Sequence, residues 1–433
     1  MIRLYDFDEV KPEEILNRDI RAEADVEATV DAIIADVRAR GDAALLDYAA
    51  KFDHAQLTSL QVTQAEIDEA FSELEASDPE FITTLKMAAS NIRHFHEQQL
   101  HKNFVLNARP GMVLGQKYTP IQRAGVYVPG GTAAYPSTVL MDVIPAKVAG
   151  VQQIVMTTPA GKDGKVNAGI LAAAVIAGID CIFKTGGAQA VAALAYGTES
   201  VPAVDKIVGP GNIYVATAKR KVFGKVGIDM IAGPSEILVL ADGTCSPAWV
   251  AADLLSQAEH DKLATPVLVT DSWDLAKAVQ AELEVQIPQL PRAAIARASV
   301  DTNGKIIVTD DMKKAIDAVN IIAPEHLEVC VDDPFAVLND IQNAGSIFLG
   351  KNVPEALGDY FAGPNHTLPT SGTARFSSPL GVDDFVKKSS FIYYTREALG
   401  EVQARIANFA EHEGLHAHAK SVTIRFEDEQ KGE

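Results

Sequence analysis

The sequence predicts an α/β protein made of two domains, each built on a largely parallel sheet. Two observations carry this. From Arg123 onward, short β-rich runs alternate with alanine-rich helical runs, the pattern of βαβ units whose helices cover both faces of a sheet. Eight such runs ("AGVYVP", "QQIVMTTP", "CIFKTGG", "DKIVGPG", "EILVLAD", "TPVLVTD", "GKIIVTD" and "GSIFLG") divide into two sheets side by side. At 433 residues the chain is long enough for two or three domains with sizeable cores.

Residues 22 to about 100 read as helices. "VEATVDAIIADVRARGDAALLDYAAKF" and "AEIDEAFSELEASDPEFITTLKMAASNIRHFHEQQ" place apolar residues at helical spacing under acidic outer faces. Between the strands, "AGILAAAVIAGID", "VAALAYGT" and "SPAWVAADLLSQAEHD" are helical. The stretch "GPNHTLPTSGTARFSSPLG", residues 363–381, is dense in Gly, Pro, Ser and Thr and reads as a long connection; connections of that length are functional loops or linkers. A mostly helical tail follows.

Composition narrows the function. The formal net charge of −20 argues against a nucleic-acid or anionic-membrane binder, since both need a basic footprint. It leaves room for an anionic cofactor, which needs only local N–H donors and helix N-termini. Cys181, Cys245 and Cys330 match no CxxC spacing, so a reducing cytoplasm is expected. The N-terminus has no apolar signal core, and no run reaches the length of a membrane span.

Several stretches carry chemistry, each with a plain structural alternative. In "IAPEHLEV" a proline keeps a helix from running through to the Glu325–His326 pair. That pair is either a solvated loop or helix start, or an acid and a base presented together. Gln257 and His260 in "LLSQAEHD" stand three apart on a helix face. Asp359 and His366 lie seven apart around the long connection, and "AEHEGLHAHAKS" supplies Glu413, His416 and His418. Singly these are surface residues, a cap and a solvated face; jointly, imidazoles and a carboxylate without thiolates suit a catalytic zinc, although the spacing follows no standard metal motif. His94 and His96 read as structural. "VYVPGGTAAYPST", "KTGGAQAVAALAYG" and "KIVGPGNIYVATAK" each follow a strand and open a helix, where backbone amides approach a phosphate or ribose. None is GxGxxG, and glycine is also what any tight turn needs.

Taken in order, "VPGG", "GGAQAVAALAYGT", "DKIVGPGN", "AGPSEILV", "LLSQAEHD", "APEHLE", "GDYFAGPNHTLPT" and "EGLHAHA" resemble the histidinol dehydrogenase family over residues 22 to 425. The resemblance implies two Rossmann-like, incomplete doubly wound domains with parallel sheets. Their expected limits are an N-terminal arm at 1–21, a discontinuous α/β catalytic domain at 22–127 and 237–376, an NAD-binding domain at 128–236, and a helical tail at 377–433 exchanged in a homodimer. It implies oxidation of L-histidinol to L-histidine through a bound aldehyde, with two NAD molecules, in histidine biosynthesis. It also implies zinc on Gln257, His260, Asp359 and His418. Ser235, His366 and Glu413 would hold the substrate together with those four and His326. Tyr127, Gln189 and Asn212 would contact NAD.

These roles suit the residues. Alcohol to acid needs two hydride transfers, and a chelated amino aldehyde does not escape between them. His326 is suited to take the hydroxyl proton and Glu325 to deprotonate the water that adds to the aldehyde. Zinc would chiefly orient the substrate. Three rivals stand beside this reading. A sister dehydrogenase acting on a sulfonated diol conflicts with a carboxylate at Glu413. A zinc hydrolase conflicts with the three glycine turns and the absence of HExxH. A catalytically dead regulator conflicts with an intact set of acid, base and metal residues.

Overall fold

The computed structural model describes residues 1–9, 24–130 and 134–429. These form two compact units: residues 1–100 with 121–385, and residues 101–120 with the chain from Val386 on.

The first unit contains both expected parallel sheets. One has five strands in the order Cys181–Lys184, Gln153–Thr158, Arg123–Tyr127, Lys206–Val208, Gly227–Ile228. The other has six, in the order Arg3–Asp6, Lys305–Val308, Thr265–Thr270, Glu236–Ala241, His326–Cys330, Ser346–Leu349. Every strand pairing in both is parallel. In the five-stranded sheet, and in the six-stranded sheet after its edge strand Arg3–Asp6, the chain starts in the middle, runs to one edge, returns to the middle and runs to the other edge. The order therefore reverses beside a central strand, opening a crevice there.

The expected domain limits shift in three places. Strand Arg123–Tyr127 is the centre of the five-stranded sheet, so it goes with the segment 128–236 rather than with 237–376. The N-terminal helices follow it. Val30, Ile33, Ile34 and Val37 of helix Ala24–Arg40 share a core with Ala190, Val191, Leu194, Val215 and Ala218 from the helices flanking that sheet. Each such side chain contributes about 1.5–3 kcal/mol by leaving water, which outweighs what the exposed acidic outer face adds. Of the expected N-terminal arm, Arg3–Asp6 is an edge strand of the six-stranded sheet, in register with Lys305–Val308; residues 10–21 lie outside the described residues.

The tail 377–433 was expected to be helical, and from Val386 on it belongs to the second unit. The tail instead opens with the strand Val386–Tyr394, part of an antiparallel sheet with Met112–Pro120 between it and Phe104–Leu106. Alternation in these strands is blurred because Phe104, Val105, Leu106, Phe391, Ile392 and Tyr393 are all exposed. The helices Gln403–His412 and His416–Thr423 come after it and meet through Ala407, Ala410 and Ala419.

Candidate active site

A cleft of about 340 Å³ opens where the two sheets of the first unit face each other. They present opposite ends. From the five-stranded sheet come the residues that follow its strands: Pro129, Gly209, Gly211, Asn212 and Asp229. From the six-stranded sheet come the residues that precede or begin its strands: Ser235 before Glu236–Ala241, and Glu325 and His326 at the start of His326–Cys330.

On the first side two helices begin at the cleft, Pro136–Ala149 through Ser137 and Thr138, and Ile213–Val222 through its cap Asn212. Asn212 Oδ1 accepts from the N–H groups of Tyr214 (3.0 Å) and Val215 (3.2 Å). The turn before it is clamped at Gly209. The N–H of Gly209 donates to Asp229 Oδ2 (2.8 Å), its carbonyl accepts from Lys219 Nζ (2.9 Å), and Lys219 and Asp229 form a buried ion pair. Gly209 has φ +116°, and a Cβ there would lie 2.1 Å from the Tyr127 carbonyl oxygen. Only glycine lets the two strand ends come that close. Tyr127 and Gln189 are buried beside the next turn rather than on the cleft wall. Gly187 N–H donates to Tyr127 Oη (3.2 Å), and burial pushes that phenol up to about 12.

On the second side, helix Met312–Ile322 stops at Ala323, which is left-handed at φ 50°, and Pro324 follows. The chain turns directly into the sheet, so Glu325 and His326 are buried rather than in a solvated loop or a helix's first turn. Glu325 Oε2 accepts from Glu236 N–H (2.8 Å). Burial pushes its carboxyl up to about 8, opposed by the adjacent imidazole and that hydrogen bond. His326 Nδ1 lies 3.0 Å from the Glu236 carbonyl oxygen, which can only accept, and 3.2 Å from Gln257 Nε2, which can only donate. Nε2 is 3.5 Å from Asp359 Oδ1 and 3.8 Å from Glu355 Oε1. Burial lowers the His326 pKa, but Glu355, Glu325 and Asp359 outweigh it and hold the ring well above its ordinary value.

Gln257 sits in the last turn of helix Pro247–Ala258, and His260 just beyond its end rather than on its face, its N–H donating to the Gln257 carbonyl (3.1 Å). The long connection 363–381 is anchored rather than free. Asn365 Nδ2 donates to Met141 O (2.6 Å) and Thr367 Oγ1 to Asp142 Oδ1 (2.8 Å). Between them His366 reaches the cleft, with Nδ1 3.0 Å from the Asp359 carbonyl. Burial holds His260 and His366 below the ordinary imidazole range, with Asp359 opposing, so both are neutral and offer a lone pair. Burial opposes the ionisation of Asp359 too, yet the facing His326 holds it below the usual carboxylate range.

The first unit thus gathers Ser235, Gln257, His260, Glu325, His326, Asp359 and His366 around one cleft. Glu413 and His418 belong to the second unit, where both are exposed and line a shallow pocket with Arg405 and Phe409. His96, far along helix Pro79–Glu97, is buried with Nδ1 2.7 Å from Ile92 O, a structural role. One residue escaped the sequence reading: Glu355, buried beside His326 and Gln257. Its signal was available, because "EALGD" sets Glu355 and Asp359 one helical turn apart.

Helix N-termini opposite a buried acid and base suit hydride chemistry on a nucleotide, and the chain is an NAD-dependent oxidoreductase. The histidinol dehydrogenase family model matches residues 16–426, and the chain belongs to that family. It is 54% identical to histidinol dehydrogenase of Listeria monocytogenes over 421 residues, 97% of each chain. It is 56% identical to that of Bacillus subtilis over 397 residues, 92% of each. A crystal structure of histidinol dehydrogenase from Elizabethkingia anophelis superposes with a TM-score of 0.93 at 38% identity, covering 99% of both chains.

Proposed function

We propose that this protein is a zinc-dependent L-histidinol dehydrogenase that carries the alcohol through bound L-histidinaldehyde to L-histidine, in histidine biosynthesis. The observation that carries this reading is the buried Glu325–His326 pair facing two helix N-termini across one cleft.

Both sheets then act as Rossmann-like halves of the site. Asn212 with the Gly209–Gly211 turn at the strand-order reversal, and Tyr127 and Gln189 beside it, would hold the nucleotide. The residues present also fit a divalent ion. Gln257 Oε1 and His326 Nε2 are buried with no hydrogen-bond partner among the described residues, and ligating atoms of His326, Glu355 and Asp359 lie within 4.8 Å of one another. So many carboxylates around buried imidazoles call for a compensating cation. Gln257, His260 and Asp359 would hold zinc from the first unit, and His418 would complete the set. Bound NAD supplies the hydride acceptor, and zinc supplies an anchor for the substrate's amine and imidazole.

The chain's own residues do the proton work. His326 Nε2 takes the hydroxyl proton in each oxidation once it has shed the proton that Glu355, Glu325 and Asp359 favour on the ring. Glu325 takes a proton from the water that adds to the aldehyde; a carboxyl near 8 is matched to that task. Ser235, His366 and Glu413 hold the substrate. Because Glu413 and His418 are on the tail, we assign their delivery to the tail of a second copy in a homodimer with shared sites. The setting is a cytoplasmic enzyme without nucleic-acid or membrane partners. Among the described residues no helix is long and apolar enough to cross a membrane.

Following NADH formed per histidinol consumed tests this directly. Two NADH per histidinol, with little from other primary alcohols and dependence on added zinc after chelation, is the expected result. One NADH with release of the aldehyde would sink the four-electron reading.

A further inference from the structure

We propose that Glu355 is a positioning residue that fixes which end of the Gln257 amide faces the cleft, and so decides whether Gln257 can bind a metal at all. This rests on the metal reading above, but the geometry is independent of it. Glu355 is 3% exposed and is locked on three sides. Its N–H donates to Glu328 Oε1 (2.7 Å), its Oε2 accepts from Ser256 Oγ (2.8 Å), and its Oε1 accepts from Gln257 Nε2.

A glutamine amide carries a donor at one end and an acceptor at the other, and turning it over costs only a torsional rotation. Its neighbours therefore choose the orientation. The Glu355 oxygen beside the amide accepts from Nε2, and Oε1 faces away. Gln257 is 1% exposed, lines the cleft, and leaves that Oε1 buried with no partner among the described residues. A buried acceptor without a donor is what a hard cation would satisfy. Turned over, the amide would press its oxygen against Glu355 and show N–H groups to the cation, which cannot ligate. Glu355 thus does for a glutamine ligand what a hydrogen-bond partner does for a ligating histidine.

Zinc affinity, measured on the full-length protein by competition with a chromophoric chelator, tests this without reference to turnover. Glu355→Gln keeps the shape but accepts or donates equally well, so Gln257 loses its fixed orientation. Affinity should fall roughly 10–100-fold, the range for losing a group that orients a ligand. The decisive arm repeats the change in a Gln257→Glu background. A carboxylate at 257 has no wrong end and is repelled by Glu355, so there Glu355→Gln should leave zinc affinity unchanged or raise it. Equal losses in both backgrounds would overturn the proposal, showing that Glu355 is itself a ligand or merely structural. Should Glu355→Gln alone not fold, the swapped pair Gln257→Glu/Glu355→Gln keeps one amide and one carboxylate and is compared with Gln257→Glu. Weaker zinc binding in the pair overturns the proposal; equal or tighter binding supports it. Wild-type protein that binds no zinc would overturn the metal reading, whereas wild type and Glu355→Gln binding equally would overturn only the role of Glu355.

Discussion

The two parallel sheets of the first unit have the same winding, yet they meet the cleft with opposite ends. The five-stranded sheet offers strand C-termini, glycine turns and helix N-termini, which are backbone donors carrying partial positive charge. The six-stranded sheet offers strand N-termini and the C-terminal end of helix Pro247–Ala258, with Glu325, Glu355 and Asp359 close by. That side is electronegative. One side therefore suits the phosphates of a nucleotide, the other a cation and an ammonium-bearing substrate. The difference teaches that sheet topology selects where a crevice forms, while the strand ends turned towards it select what chemistry it holds.

If this division is real, lesions on the six-stranded side should strike the chemical steps and lesions on the five-stranded side should strike NAD binding. The largest effect expected is for His326→Asn, which should lower kcat for both histidinol and histidinal by about 10²–10⁴, the range for losing a general base. Glu325→Gln should lower histidinal oxidation comparably and the first oxidation much less; equal losses in the two half-reactions would remove Glu325 from water activation. Its pH dependence follows from the carboxyl near 8. A base must be ionised, so wild-type histidinal oxidation should rise as pH climbs towards about 8, and the Gln variant should lose that limb.

On the other side, Gly209→Ala meets both the positive φ and the Tyr127 carbonyl 2.1 Å away. It should raise the KM for NAD by about tenfold or more, since strain of about 1–3 kcal/mol falls on the turn alone, with kcat less affected. A variant with normal KM and lost kcat would break the comparison. Subunit mixing sharpens it from outside. Asp359→Asn and His418→Asn proteins, each inactive, should recover roughly a quarter of wild-type activity when dissociated and reassociated, because a shared site leaves one intact centre in each mixed dimer. No recovery with mixed dimers demonstrated would keep the tail on its own subunit.

The smallest effect is on stability. Asp142 is buried under the connection 363–381, and burial pushes its carboxyl up to about 8. Its folded pKa exceeds its unfolded one, so its contribution is fully present below about 4 and is lost as pH rises through about 8. Between pH 5 and 8 the wild-type Tm should therefore fall more than that of Asp142→Asn. The gap should be a few degrees at most, at about 1 °C per kcal/mol for a chain of 433 residues. Parallel Tm profiles would mean that Asp142 stays ionised in the fold.

The eight β-rich runs and the helices between them were legible in local order, because period and turn residues act within a few positions, whereas the Glu325–His326 pair stood out from a plain loop only in the company of the other motifs. The motif resemblance added the family. Three things were not local. The strand Arg3–Asp6 reads as an arm until Lys305–Val308 offers it an edge, some 300 residues away. Met112–Pro120 and Val386–Tyr394 keep exposed apolar residues on faces where alternation would have announced strands, so only their pairing defines them. Glu355 looked like one more surface glutamate among 58 acidic residues; burial against Gln257, Ser256 and Glu328 made it part of the site. Sequence determines which backbone each segment prefers, since those energies are short-range. Which strand finds an edge, and which carboxylate loses its water, depends on partners far along the chain, and that only the tertiary structure decided.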